Sequence, residues 1–138
     1  MHVTAIVLAA GAGRRIGADV SKMYLSVAGR PLVLRALDRM FAAKTVEEVI
    51  LVVAENELER CDALLRGDAA LINRSWMLQS GGFTRQQSAR RGLEKLSAVA
   101  DIIVIHDGAR PFVSAALINR LVEAAAERGA VPSYRAES

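Results

Sequence analysis

A chain of 138 residues has the length of a single domain, and one cysteine can close neither an internal disulfide nor a cysteine metal cluster. Its 18 basic and 15 acidic residues leave a net charge of +3, and aromatic residues are only 4%, too few for the stacking platforms that grip single-stranded nucleic acid. No apolar run reaches the roughly 18 residues that span a bilayer, and the start Met1-His2-Val3-Thr4 lacks the features of a secretion signal, so small anionic partners and a cytoplasmic location are expected.

The elements alternate along the chain. Thr4–Ala10 reads as a buried strand, and a glycine-rich loop follows it. Tyr24–Ala28 reads as a short extended piece before a turn at Gly29-Arg30-Pro31. Pro31 then opens a helix over 31–43, with Val33, Ala36, Leu37, Met40 and Phe41 at helical spacing. Val49–Val53 is continuously apolar and mostly β-branched, the pattern of a strand covered on both faces. Asn56 is the expected cap of the next helix, which turns Leu58, Cys61 and Leu65 inward and stops at Gly67.

Trp76–Leu78 is a weak third strand. Thr84 starts a helix over 84–97 with an apolar stripe of Ala89, Leu93 and Leu96. Ile102–Ile105 is the cleanest buried strand. The last helix, 114–128, is capped by Ser114, carries Leu117, Leu121 and Ala124 on one side, and stops at Gly129. Short strands alternating with helices predict an α/β fold: a mostly parallel sheet between two helical layers, Rossmann-like, with right-handed crossovers, in one domain over 1–138.

The loop from Leu8 to Lys22 is the chemical centre of this pattern. Gly11, Gly13 and Gly17 allow close backbone approach, and Arg14, Arg15 and Lys22 face a single acid, Asp19. Glycines and cations after a strand make a place for phosphate. The spacing is not that of a P-loop. It also misses the dinucleotide fingerprint, because Gly17 comes one residue late and the acid at the end of the second strand, Glu55, is too far along. A cation-rich loop suits a triphosphate whose charge grows during reaction; the alternative is a glycine turn with solvated arginines.

In a parallel sheet, ligands bind outside the carboxyl ends of the strands. Three loaded segments fall there: 9–22, 81–88 and 106–110. Gly81-Gly82 suits the approach of a base or ribose. Arg85 and Ser88, three apart on one helical face, are expected to share a cleft, the alternative being a Thr84 cap with a solvated Arg85. Asp107 is the natural ligand for a hard cation such as Mg²⁺, the alternatives being an N-cap or an ion pair with Arg110. His106 reads as a packed residue rather than a ligand.

Four segments together resemble the 2-C-methyl-D-erythritol 4-phosphate (MEP) cytidylyltransferase family of the non-mevalonate isoprenoid pathway. They are Ala9-Ala10-Gly11-Ala12-Gly13-Arg14-Arg15-Ile16-Gly17, Ser21-Lys22-Met23-Tyr24-Leu25, Gly81-Gly82-Phe83-Thr84-Arg85-Gln86-Gln87-Ser88 and His106-Asp107-Gly108-Ala109-Arg110-Pro111, in family order up to about Gly129. The resemblance implies a nucleotidyltransferase that joins CTP to a sugar-alcohol phosphate and releases pyrophosphate. It implies Arg15 and Lys22 as catalytic stabilisers of the transition state and Asp107 as the Mg²⁺ ligand. Leu8, Ala9, Ala10, Gly11, Ala12, Gly13, Gly82, Arg85, Ser88 and Gly108 form the expected nucleotide-binding set.

The departures are specific. Ser21 and Met23 stand where the family usually has Pro and Gln, and Phe83 stands where a polar or acidic residue is common. Phe83 is expected either to stack or to fill space. The segment 133–138 resembles nothing in the family, so the chain reads as C-terminally incomplete, without the family's last strands, its acceptor-gripping segments and its homodimerisation arm. Two further readings follow: a neighbouring enzyme that uses ribitol 5-phosphate, and a CTP-binding fragment without catalysis.

Overall fold

A computed structural model of the chain describes residues 2–10, 22–108, 114–127 and 134–135, with only the backbone for Lys22, Val27, Tyr134 and Arg135. Its main sheet has five parallel strands: β1 (Val3–Leu8), β4 (Glu48–Val53), β5 (Ser75–Ser80), β6 (Ile102–Asp107) and β7 (Tyr134–Arg135), in the order β5-β4-β1-β6-β7. The helices are α1 (Leu32–Ala42), α2 (Leu58–Arg66), α3 (Arg85–Glu94) and α4 (Ala115–Glu127). The expected α/β class and the order of elements are borne out. A fifth strand beyond Gly129 was not foreseen: Tyr134 and Arg135 pair in register with Val104 and Ile105.

Strand alternation divides the core in two. Val3, Ala5 and Val7 of β1 pack with Val49, Leu51 and Val53 of β4 beneath α1, α2 and α4. Ile6, Leu8, Ile50, Val52, Ile103 and Ile105 lie on the opposite face, against Ala89 of α3. The chain leaves the sheet two residues earlier than expected, but Ala9 still donates its N–H to the Val52 carbonyl at 2.7 Å.

The layer arrangement corrects the expectation of a uniform crossover hand. α1 and α2 carry the chain away from β1 in one direction on one face, and α3 returns it in the other direction on the opposite face, so those three crossovers share a hand. The β6–α4–β7 crossover advances in the α3 direction with its helix on the α1 face, and so has the opposite hand. The Thr45 hydroxyl, donating to Asn119 Oδ1 at 2.6 Å, ties α4 to the end of α1.

Several local expectations shift. Tyr24 closes a 3₁₀ turn, Lys22–Tyr24, instead of opening the extended piece. The extended piece is a hairpin of β2 (Ser26–Val27) and β3 (Arg30–Pro31), closed by Ala28 and Gly29 at φ 53° and 82°. Two successive positive φ angles are what a two-residue turn needs to match strand twist.

Pro31 precedes α1 as its cap, and the predicted apolar face of that helix is buried. Asn56 caps nothing: it lies inside a 3₁₀ turn, Glu55–Glu57, whose i→i+3 bonds lead directly into α2. Cys61 and Leu65 are buried as expected, and Gly67 ends the helix.

The buried faces of α3 and α4 differ from the predicted stripes. On α3 the buried residues are Ser88, Ala89 and Gly92, while Leu93 is exposed. A Cβ on Gly92 would stand 2.7 Å from Ile6 Cγ2, so this helix lies close to the sheet on its smallest residues. On α4 the buried stripe is Ile118, Val122 and Ala125, one residue on from the prediction. Ser114 caps α4 as expected, accepting from the Leu117 N–H at 3.1 Å.

Candidate functional site

The carboxyl ends of β1, β5 and β6 carry the described parts of the predicted segments, residues 8–10, 81–88 and 106–108. Leu8 and Ala9 are buried at the end of β1, and Ala10 is half-buried just beyond. Leu8 sits beside Asp107 in the sheet register, and the Gly108 N–H donates to the Leu8 carbonyl at 2.8 Å. Gly81 donates to the Val53 carbonyl at 2.7 Å, which fixes the β5 exit against β4. Gly11, Ala12, Gly13 and Arg15 lie outside the described residues, as does the Lys22 side chain.

Gly81 is where two of the segments touch. A Cβ there would stand 2.2 Å from Ala10 Cβ and 2.7 Å from Ser88 Oγ. Only glycine fits at this contact between Ala10, just beyond β1, and α3. Ser88, only 2% exposed, accepts from the Gly82 N–H at 3.1 Å. Its immediate part is therefore to hold the Gly81-Gly82 turn in shape.

The N-terminus of α3 is built by a capping box. Thr84 Oγ1 accepts from the Gln87 N–H at 3.1 Å, and Gln87 Oε1 accepts from the N–H groups of Phe83 and Thr84 at 2.7 and 3.3 Å. The alternative reading of this segment is what the structure shows: the Thr84 cap is present and Arg85 is exposed, while its expected cleft partner Ser88 is buried. Phe83 is 88% exposed. It borders a cavity of about 430 Å³ whose walls include Glu55, Gly81, Gly82, Gln87 and Arg90.

Alternation along β6 separates the two chemically interesting residues at its end. His106 points toward the α1 side and is 1% exposed, as the packed reading expects. Asp107 falls on the Ile103 and Ile105 side and is half-buried. Among the described residues no group of three metal-ligating side chains occurs. A single half-buried carboxylate at a strand end is still a fit for Mg²⁺, which keeps waters and takes most of its oxygens from phosphates.

Sequence reasoning missed two contributors, Gly81 as a packing requirement and Met23. Met23 is 1% exposed, and its terminal methyl stands 3.1 Å from the position of a Gly108 Cβ. Another cavity, about 640 Å³, lies away from these loops, between α2 and the outer edge of β5, against Leu65, Leu71, Ile72 and Trp76. Among the described residues no helix is long and apolar enough to cross a membrane.

Comparison with known proteins adds the following. A sequence model described as IspD, 2-C-methyl-D-erythritol 4-phosphate cytidylyltransferase, matches residues 3–135. The match runs past Gly129, where the resemblance in the sequence was expected to stop, and takes in β7. A 2-C-methyl-D-erythritol 4-phosphate cytidylyltransferase of Alkaliphilus metalliredigens is 36% identical over 129 residues, which are 94% of this chain and 53% of that protein. A bifunctional enzyme IspD/IspF of Rhodospirillum rubrum is 40% identical over 133 residues, 95% of this chain and 34% of that protein. The crystal structure of a 4-diphosphocytidyl-2C-methyl-D-erythritol synthase from Anaerococcus prevotii superposes with a TM-score of 0.76 at 26% identity, over 91% of this chain and 52% of that one. The chain thus spans about half the length of the monofunctional relative it matches.

Proposed function

Since the chain belongs to the 2-C-methyl-D-erythritol 4-phosphate cytidylyltransferase family, we propose that it binds CTP at the carboxyl edge of β1, β5 and β6 and serves cytidylyl transfer to MEP. The contact of Ala10, Gly81 and Ser88 carries this reading, because it joins the stem of the phosphate loop to the turn proposed to receive the nucleoside. The expected products are 4-diphosphocytidyl-2-C-methyl-D-erythritol and pyrophosphate. The compartment would be the cytoplasm.

The chemistry needs little from the protein beyond alignment and charge. A phosphate oxygen of MEP, anionic at neutral pH, attacks the α-phosphorus of CTP, and the bond from that phosphorus to the bridging oxygen of pyrophosphate breaks. No general base is required. Arg15 and Lys22 are proposed to neutralise the charge that grows on the leaving pyrophosphate, each worth on the order of 10² in turnover. Asp107 would hold Mg²⁺, which supplies charge neutralisation on the phosphates when bound. Leu8, Ala9, Ala10, Gly82 and Gly108 shape the floor of the site.

A second reading is CTP binding without transfer. One experiment separates the two. Pyrophosphate release from CTP and Mg²⁺ is measured with MEP, with ribitol 5-phosphate, and with no acceptor, on the wild-type chain and Lys22→Ala. Release that needs MEP and is lost in Lys22→Ala supports transfer. Release with ribitol 5-phosphate alone reassigns the acceptor. CTP binding that Lys22→Ala weakens, without release, supports the binding reading, and no CTP binding overturns both.

A further inference from the structure

We propose that Met23 is a positioning residue: it seats the Lys22–Tyr24 turn against the end of β6 and so sets the spacing between Lys22 and Asp107. The proposal rests on the reading of this edge as a CTP site, and it assigns a part to a side chain that touches no substrate.

Met23 lies at the middle of the turn and is 1% exposed. A Cβ on Gly108 would stand 3.1 Å from the Met23 methyl, 3.0 Å from Val7 Cγ1 and 3.2 Å from the Leu8 carbonyl oxygen, so the methyl takes space that a side chain at position 108 would need. Gly108 in turn bonds to the Leu8 carbonyl at 2.8 Å and directly follows Asp107. The methionine therefore stands against Gly108, in space that is open to it only because residue 108 is glycine, directly after Asp107.

The other side of the turn is held independently. Tyr24 is buried, with the Arg60 guanidinium of α2 lying 4.2 Å from its ring centroid. The Leu32 N–H donates to the Leu25 carbonyl at 2.9 Å. Lys22 thus leads a turn bolted to the sheet by Met23 and to α2 by Tyr24. Thioether side chains fill irregular gaps of this kind, and loosening one moves the backbone that carries the cation.

The test compares the wild-type chain, Met23→Ala and Met23→Leu in pyrophosphate release from CTP, Mg²⁺ and MEP, and in site-resolved amide hydrogen exchange. Met23→Ala should lower kcat by roughly ten- to a hundredfold, the cost of misplacing a catalytic group by about an ångström, with KM for CTP little changed. Met23→Leu, close in volume, should restore most of the rate. Exchange at the Gly108 amide and over residues 22–25 should quicken in Met23→Ala, while α3, on the opposite face of the sheet, keeps its protection. Three results overturn the proposal: unchanged Gly108 protection, a loss carried by KM, or a leucine variant as impaired as the alanine one. If the wild-type chain releases no pyrophosphate, the transfer reading fails by itself, and the exchange comparison decides the part of Met23.

Discussion

Arg30 and Asp68 face each other fork to fork, with Nη1 donating to Oδ1 at 3.0 Å and Nη2 to Oδ2 at 2.8 Å. The same guanidinium donates through Nε and Nη2 to Asp38 of α1, at 2.7 and 3.0 Å. One arginine thereby ties the β2–β3 hairpin to α1 and to the connection after α2, and this is the frame that backs the Lys22–Tyr24 turn. Hydrogen bonding to Arg30 holds the Asp68 carboxyl below its ordinary value, and the two aspartates raise the guanidinium further. Arg30→Ala should destabilise the fold by about 2 kcal/mol, the scale of charged hydrogen bonds at a partly exposed site, read as a lower urea midpoint with an unchanged slope.

The pH dependence of that clamp has a definite sign. Unfolded aspartate titrates near about 3.9, and Asp68 in the folded chain titrates lower. The unfolded state therefore takes up the proton first, so the stabilisation is complete above the unfolded value and is lost as pH falls through it toward the folded one. Wild type and Asp68→Asn should converge in stability in acid and separate at neutral pH. Equal separation at both ends would contradict the clamp.

Ala28 sits at φ 53°, the one non-glycine residue with a positive φ among those described. A Cβ in that region costs about 1–2 kcal/mol, against roughly 0.5–1 kcal/mol of extra unfolded-chain entropy for glycine. Ala28→Gly should therefore raise stability by up to about 1 kcal/mol, seen as a rise in Tm of a few degrees. A fall in Tm would show that the turn is held by other means.

Gly81→Ala pushes a methyl group into Ala10 Cβ and Ser88 Oγ. The fold should lose about 1–3 kcal/mol through overpacking, and CTP affinity should drop with it, because the displaced atoms belong to the stem of the proposed phosphate loop. Ala10→Gly in the same chain removes the 2.2 Å clash and should recover part of both losses. Calorimetry of CTP binding on the single and double variants measures this, and a double variant no better than the single one would place the strain elsewhere.

Cys61 is wholly buried, and burial pushes its thiol up to about 11. An aromatic disulfide reagent at pH 8 should leave it unmodified in the folded chain and label it on addition of urea, at the rate set by opening of α2. Fast labelling without denaturant would refute the packing of α2 on the sheet.

Local chemistry in the sequence was enough for the element order, the parallel α/β class, the caps Thr84 and Ser114, the buried Cys61 and the placing of Gly81 and Asp107 at the carboxyl ends of their strands. These depend on periodicity and on residues a few positions apart, which one segment carries within itself. Tertiary packing alone decided the rest. Leu117 and Ile118 begin two neighbouring apolar stripes on α4, and only docking on β6 selects the second. Leu93 was expected inward, but Gly92 lets α3 approach β1 so closely that the small residues take the core face. The fit of Met23 against Gly108, of Gly81 against Ala10, and of Arg30 between Asp38 and Asp68 joins residues up to tens of positions apart. Such contacts are short-ranged in space and arbitrary in sequence separation, so no local pattern encodes them; they exist only once the strands have set their order and the helices their distance.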